Sequence, residues 1–297
     1  MINMRFWILL CALFAALGPL VCHAESNVEL IEHLLPGRIN WTRGVVVAHG
    51  KCQSAAGKET PQSYAAGQAL RRARVNVHET INQLRVSSCS SVAELTESKK
   101  EEYRQIKDMA MAAEVIETKT LPDGSIEVAV QMDLFGGFAQ LILPGTIRQV
   151  EPIKPLTPSG DNLASSQLEP ADSNAAFAES DIYTGLIVDA RGIGVKPTMV
   201  PVIVDESGQE VYGPAYVSRE YAVQRGVCQY VRWVEAFSDT PRVAPNPLIV
   251  KGLRMTTGPC RQIVVSNADA SKLRGSSLHL GFLKQCRVII ALDDKVR

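Results

Sequence analysis

Apolar residues recur every three or four positions between residues 61 and 86, and every second position between residues 113 and 134. In the first stretch Ala66, Leu70, Ala73, Val77, Ile81 and Leu84 fall on one face of a helix, with Arg71, Arg72, Arg74, Asn76, His78 and Glu79 elsewhere on its surface. Pro61 stands near its start, where a missing N–H costs least. In the second stretch residues 113–120 alternate, Leu121-Pro122-Asp123-Gly124 turns, and Ser125–Leu134 alternates again. Ile126, Val128, Val130, Met132 and Leu134 share one side, the mark of a half-buried hairpin strand around an Asp-Gly turn. Val45-Val46-Val47-Ala48, ended by Gly50, reads as a buried strand. Glu94–Met111 reads as a second helix with Tyr103, Ile106 and Met109 or Ala110 inward, after a break at Ser87–Ser91. Residues 25–41 read as a lead-in, with a short helix through Val28–Leu35 stopped by Pro36-Gly37.

The pattern lapses between 151 and 178, where prolines stand among Ser, Asn, Asp and Gly with no apolar period. This reads as a linker. Beyond it, Ile182–Asp189 reads as a strand. Met199–Val204 and Gln209–Tyr212 form a hairpin, and Arg219–Gln224 a short helix beginning at Ser218 and closed by Gly226. Tyr230–Phe237 reads as a further helix. Leu248–Met255, Arg261–Ser266 and Cys286–Leu292 read as strands, with a helical turn over Asn267–Leu273. The expected architecture is α+β: two small domains, 25–150 and 179–297, each an antiparallel or mixed sheet covered by helices, joined by the linker.

Residues 1–24 change where this chain is expected to work. A single positive charge, the apolar run Phe6–Val21 and the small residues at Cys22 and Ala24 follow the order of a secretory signal peptide. Val21 before Cys22 is a poor lipoprotein signal, so lipidation there is not expected. No later apolar stretch approaches the length of a bilayer crossing. The expectation is a periplasmic or secreted protein, soluble or associated with the outer membrane. Net formal charge is zero, so nothing in the bulk charge favours nucleic acid as a partner.

In an oxidising compartment Cys52, Cys89, Cys228, Cys260 and Cys286 are disulfide candidates. The two-domain division suggests Cys52–Cys89 in the first domain and one pair among Cys228, Cys260 and Cys286 in the second. Five is odd, so at least one thiol is expected free or paired between chains. No CxxC, HExxH, G-x-S-x-G or S-x-x-K pattern occurs, and His33, His49, His78 and His279 stand singly. No catalytic residue, metal site or cofactor is therefore expected. His78 is expected to be solvated on the outer helix face. Two features retain binding chemistry. Asp189-Ala190-Arg191-Gly192-Ile193-Gly194 places Asp and Arg two apart in a glycine turn, where they can hold an anion or a partner's carboxylate. Arg71, Arg72 and Arg74 form a basic strip that can meet an anionic partner. A local salt bridge and a solvated helix surface are the plainer readings.

The first domain resembles the LPP-twenty type of outer-membrane lipoprotein domain and the N-terminal domain of flagellar T-ring proteins of the FlgT type. The residues that carry this are the Gly-ended strand, Ala65-Ala66-Gly67-Gln68-Ala69-Leu70-Arg71-Arg72-Ala73, Leu84-Arg85-Val86 and the Pro-Asp-Gly hairpin with Val128 and Val130. The match spans roughly residues 42–135 and brings no catalytic residues with it. The second domain resembles one that follows such modules in secreted proteins of Gram-negative bacteria, through Tyr183–Ala190 and Ser266–Ala270. The resemblance implies a non-enzymatic envelope protein, an assembly or attachment factor for an outer-membrane or flagellar-type structure. Its partners would be envelope proteins or the outer membrane itself, and homo-oligomerisation is compatible with it. If binding uses a strand edge, the Ser125–Leu134 hairpin or the closing strand Cys286–Leu292 can add a partner strand. The alternatives are a module that captures a small anion near Asp189–Gly194, and an enzyme whose site is assembled from distant residues.

Overall fold

A computed structural model describes residues 29–53, 62–148, 182–232 and 240–293. The linker at 151–178 and the segment 1–24 lie outside the described residues.

In the first half, β1 (Ile31–Leu34), β2 (Gly37–Asn40) and β3 (Val45–Cys52) form an antiparallel meander. The expected helix over Val28–Leu35 is thus the β1–β2 hairpin, turning at Leu35-Pro36, where proline cannot donate a helical hydrogen bond. α1 (Gln62–Gln83) then crosses the sheet and leads into β4 (Arg85–Ser87), β5 (Ser90–Ser91), α2 (Val92–Thr96) and α3 (Lys100–Met111). β6 (Glu114–Thr120) and β7 (Ile126–Asp133) form the expected hairpin, and α4 (Gly137–Ile142) closes the unit. The sheet order is β1-β2-β3-β7-β6. Val46, Ala48, Val128, Val130 and Met132 face the common core, as the alternation required.

The helix face is turned from the expected one. Ala65, Ala69, Ala73, Val77 and Ile81 are buried, whereas Ala66 and Leu70 are only half-buried. The cause is a close approach: a Cβ on Gly50 would overlap the Ala69 carbonyl oxygen and the Ala73 backbone nitrogen. Two alanines must therefore face Gly50, and the larger Leu70 is rotated to the margin. The same rotation buries His78, which is 8 % exposed and edge-on to Tyr103, with 5.4 Å between ring centroids. His78 is not the solvated residue expected. Burial, aided by the nearby Lys107 charge and opposed by Glu79, holds its imidazole pKa below the ordinary value. A capping box closes the start of α2: Ser91 Oγ accepts from the Glu94 N–H at 3.3 Å, and Glu94 accepts from the Ser91 N–H at 2.6 Å.

The second half contains β8 (Gly185–Asp189), β9 (Ile203–Val204), β10 (Glu210–Tyr212), α5 (Arg219–Arg225) and β11 (Gln229–Val231). It continues with β12 (Pro247–Lys251), β13 (Arg254–Met255), β14 (Ile263–Val264), α6 (Asn267–Arg274), α7 (Ser277–Lys284) and β15 (Val288–Ala291). The order β11-β15-β8-β12 is wholly parallel. The apolar run Val288–Ala291 is buried along its whole length, as a central parallel strand requires. Leu186, Val188 and Ile290 pack into the common core, while Ile187, Val231, Val243, Ile289 and Ala291 cluster on the opposite face. Residues 229–231 are therefore strand, not the start of a helix; 233–239 lie outside the described residues. The run Leu248–Met255 divides at Gly252: β12 serves the parallel sheet and β13 a smaller sheet of order β10-β9-β14-β13. Ser218 stands at the start of α5 without a side-chain capping bond.

The two halves share one core, which runs from Leu30 to Leu292. Thr42 Oγ1 donates to the Tyr230 carbonyl at 2.6 Å, and Gln229 Nε2 to the Thr42 carbonyl at 3.2 Å. Trp41 meets Tyr230 edge-on, centroids 5.7 Å apart. Arg219 of α5 donates to the carbonyls of Gln140 at 2.7 Å and Pro144 at 3.2 Å, satisfying the C-terminal end of α4 across the junction. Neither strand expected to offer an edge is at one: β7 lies between β3 and β6, and β15 between β11 and β8. The outer strand of the hairpin is β6, exposed at all seven residues. Its register shift at Val115/Glu117 and the Glu117–Lys119 ion pair at 2.7 Å are devices that discourage edge-to-edge pairing.

Candidate functional site at the junction

The short strand β4 leaves α1 with its outer edge open, and the second half pairs with it. The Met199 and Val200 N–H groups donate to the Arg85 and Val86 carbonyls at 3.0 and 2.9 Å. These two bonds tie the segment leading into β9 to the backbone of β4. Beyond them the β4–β5 turn carries Cys89, and the β13–β14 turn carries Cys260. These two cysteines form a disulfide across 171 residues of sequence. The expected Cys52–Cys89 pair is not formed; Cys52, Cys228 and Cys286 are free. Domain membership misled the pairing because the two turns meet only when the halves dock.

Between these turns lies a cleft of about 280 Å³. Its floor is apolar: Val200, Tyr230 and Ile263 are buried, with Val202 and Met255 beside them. The Tyr230 hydroxyl donates to the Thr198 carbonyl at 2.9 Å and accepts from the Thr198 N–H at 3.1 Å, so its polar end is already satisfied. Three cations line the cleft: Arg85, Lys196 and Arg261. Arg85 is engaged, donating to Glu32 at 2.5 Å and to the Pro197 carbonyl at 3.1 Å. Glu32 is itself buried and accepts a second bond from Trp41 Nε1 at 2.8 Å. Lys196 and Arg261 are exposed and make no side-chain ion pair or hydrogen bond among the described residues. The lining holds no carboxylate, imidazole or thiol.

The residues singled out from sequence fall elsewhere. Arg191 forms a bidentate pair with Asp189, at 2.7 and 2.8 Å. The Arg191 bond keeps the Asp189 carboxyl below its ordinary pKa against the opposing effect of burial. The Gly192 N–H, which would face an incoming anion, is taken by the Asp293 carboxylate at 3.0 Å. Only Gly194, at the end of this turn, reaches the cleft. The basic strip divides: Arg71 is exposed, Arg72 donates to the Lys51 carbonyl at 2.6 Å, and Arg74 donates to the Ala113 carbonyl at 3.3 Å. No group of three or more His, Cys, Asp or Glu side chains is placed to hold a metal among the described residues. Lys196 and Arg261 carry no motif; each is a lone basic residue brought to the cleft by docking.

The free thiols differ in chemistry. Burial pushes the Cys228 thiol up to about 12 and the Cys286 thiol up to about 11, against the attraction of the Arg242 guanidinium. Cys52 is half-exposed. Alkylation of the folded protein at neutral pH is therefore expected to mark Cys52 and spare Cys228 and Cys286, since the thiolate is the reactive form. Peptide mapping checks this; rapid labelling of Cys228 in the folded state contradicts it.

No helix among the described residues is long and apolar enough to cross a membrane. No curated protein matches the sequence. Residues 185–294, which begin at the first residue of β8, match a family model described as the second domain of Treponema pallidum Tp0624, so the second half of the chain is similar to that domain.

Proposed function

We propose that the protein is a non-enzymatic structural or assembly factor of the bacterial cell envelope, working outside the cytoplasm as one braced body. The observation that carries this reading is the Cys89–Cys260 bond across the junction of the halves. Such bonds persist in oxidising compartments, which agrees with the signal-peptide pattern of residues 1–24. A shared core and a long-range crosslink suit a part that must hold a fixed shape between partners. They do not suit two modules that swing on a tether. The junction cleft sets cationic side chains beside an apolar floor, an arrangement that supports a binding part. The resemblance of the first half to outer-membrane and flagellar T-ring modules sets the context: envelope proteins or the outer membrane as partners.

In-cell crosslinking at native expression, followed by mass spectrometry of attached proteins, tests the reading. Recovery of flagellar, pilus or outer-membrane assembly proteins supports it. Recovery of monomer alone, or fractionation of the protein with the cytoplasm, overturns it.

A further inference from the structure

The junction cleft joins an apolar floor to a cationic rim. Its floor of Val200, Met255, Ile263 and the Tyr230 ring asks for an apolar group, because its one buried hydroxyl is already bonded to Thr198. Its rim carries Lys196 and Arg261 with no anionic partner among the described residues, beside an Arg85 whose charge Glu32 already answers. Two cations lining one opening favour a bound anion there. At about 280 Å³ the cleft is just below the ordinary range for small-molecule sites, which limits the occupant to a short chain or single small ring. We propose that the cleft binds a small amphipathic anion, its apolar body on the Val200–Ile263 floor and its carboxylate or phosphate head between Lys196 and Arg261. The walls come from both halves, Arg85 and Ser88 from the first and the rest from the second. The site therefore exists only when the halves are docked. This proposal stands apart from the envelope-assembly reading and does not need it.

Hexanoate and hexyl phosphate serve as probes, since each pairs a short apolar chain with one of the two heads. Hexanol and inorganic phosphate each supply only half of that chemistry. Isothermal titration of the intact oxidised protein is expected to show saturable binding of at least one amphipathic probe. That binding should weaken with added salt and exceed the binding of hexanol and of inorganic phosphate. Lys196→Gln and Arg261→Gln should each weaken it about tenfold, the scale of one charge-assisted hydrogen bond. Arg71→Gln, an exposed cation off the site, should leave it unchanged. Because Lys196 and Arg261 support no other contact, both variants should melt with the parent. Preference for the carboxylate or the phosphate identifies which head the site takes. Absence of saturable binding by both probes, equal binding of hexanol, or undiminished binding in the Lys196→Gln/Arg261→Gln double variant overturns the proposal.

Discussion

Reduction of the Cys89–Cys260 bond is expected to lower the melting temperature by about 10 °C. The bond closes 171 residues of chain, and the chain-entropy account assigns roughly 5 kcal/mol to a loop of that length, with about 4 kcal/mol a realistic yield. At this chain length each kcal/mol moves the midpoint by about 2–4 °C. Differential scanning calorimetry with and without reductant measures the effect, and the Cys89→Ser/Cys260→Ser variant should reproduce it. Cys52→Ser, which removes a thiol with no disulfide partner, should melt with the parent. A parent protein whose melting ignores reductant would show that the crosslink does not brace the halves.

Gly50→Ala is the second large effect expected, a loss of about 3 kcal/mol in denaturant unfolding. The added methyl would meet the Ala69 carbonyl and the Ala73 nitrogen, both backbone atoms of α1, so no rotamer change can relieve it. The helix must lift from β3 or the strand must bend, and either opens the close backbone contact between α1 and β3. Gly67 in the same helix supplies the opposite sign. A methyl there meets nothing within 4 Å, and alanine is the better helix former by about 0.5–1 kcal/mol. Gly67→Ala is therefore expected to raise the urea midpoint while Gly50→Ala lowers it. Two shifts of the same sign would refute the close approach.

The contact at Gly50 also explains why the apolar stripe of α1 was only partly legible. Periodicity ranks positions by side-chain hydrophobicity, and so favours Leu70 over Ala69. Packing here is decided by how near two backbones come, which rewards the smallest side chain. His78 follows from the same turn of the helix: a polar residue next to Val77 is carried inward and covered by Tyr103. The β1–β2 hairpin was misread because its residues alternate only weakly and its turn is a Leu-Pro pair, which reads equally as the end of a helix.

Local chemistry in the chain determined much of the rest. The alternation of Ser125–Leu134 and the Asp-Gly turn specify the β6–β7 hairpin, since a strand with one apolar side has a single register that buries it. The apolar runs Gly185–Val188 and Val288–Ala291 mark strands buried along their length. Disulfide pairing, edge position and the cleft depend on residues tens to hundreds of positions apart. Alternation says that Ser125–Leu134 is a strand, yet only the neighbours β3 and β6 make it an inner one. Arg191 looked like an anion ligand because its sequence neighbours are glycines, and folding gave it Asp189 instead. Lys196 and Arg261 looked like nothing, and docking set them on one rim. The sequence by itself determined the long helix, the β6–β7 hairpin, the apolar strands and the α+β class, because those depend on periods of two and 3.6 residues. The tertiary structure alone decided the Cys89–Cys260 brace and the cationic cleft, because both are made where the two halves meet.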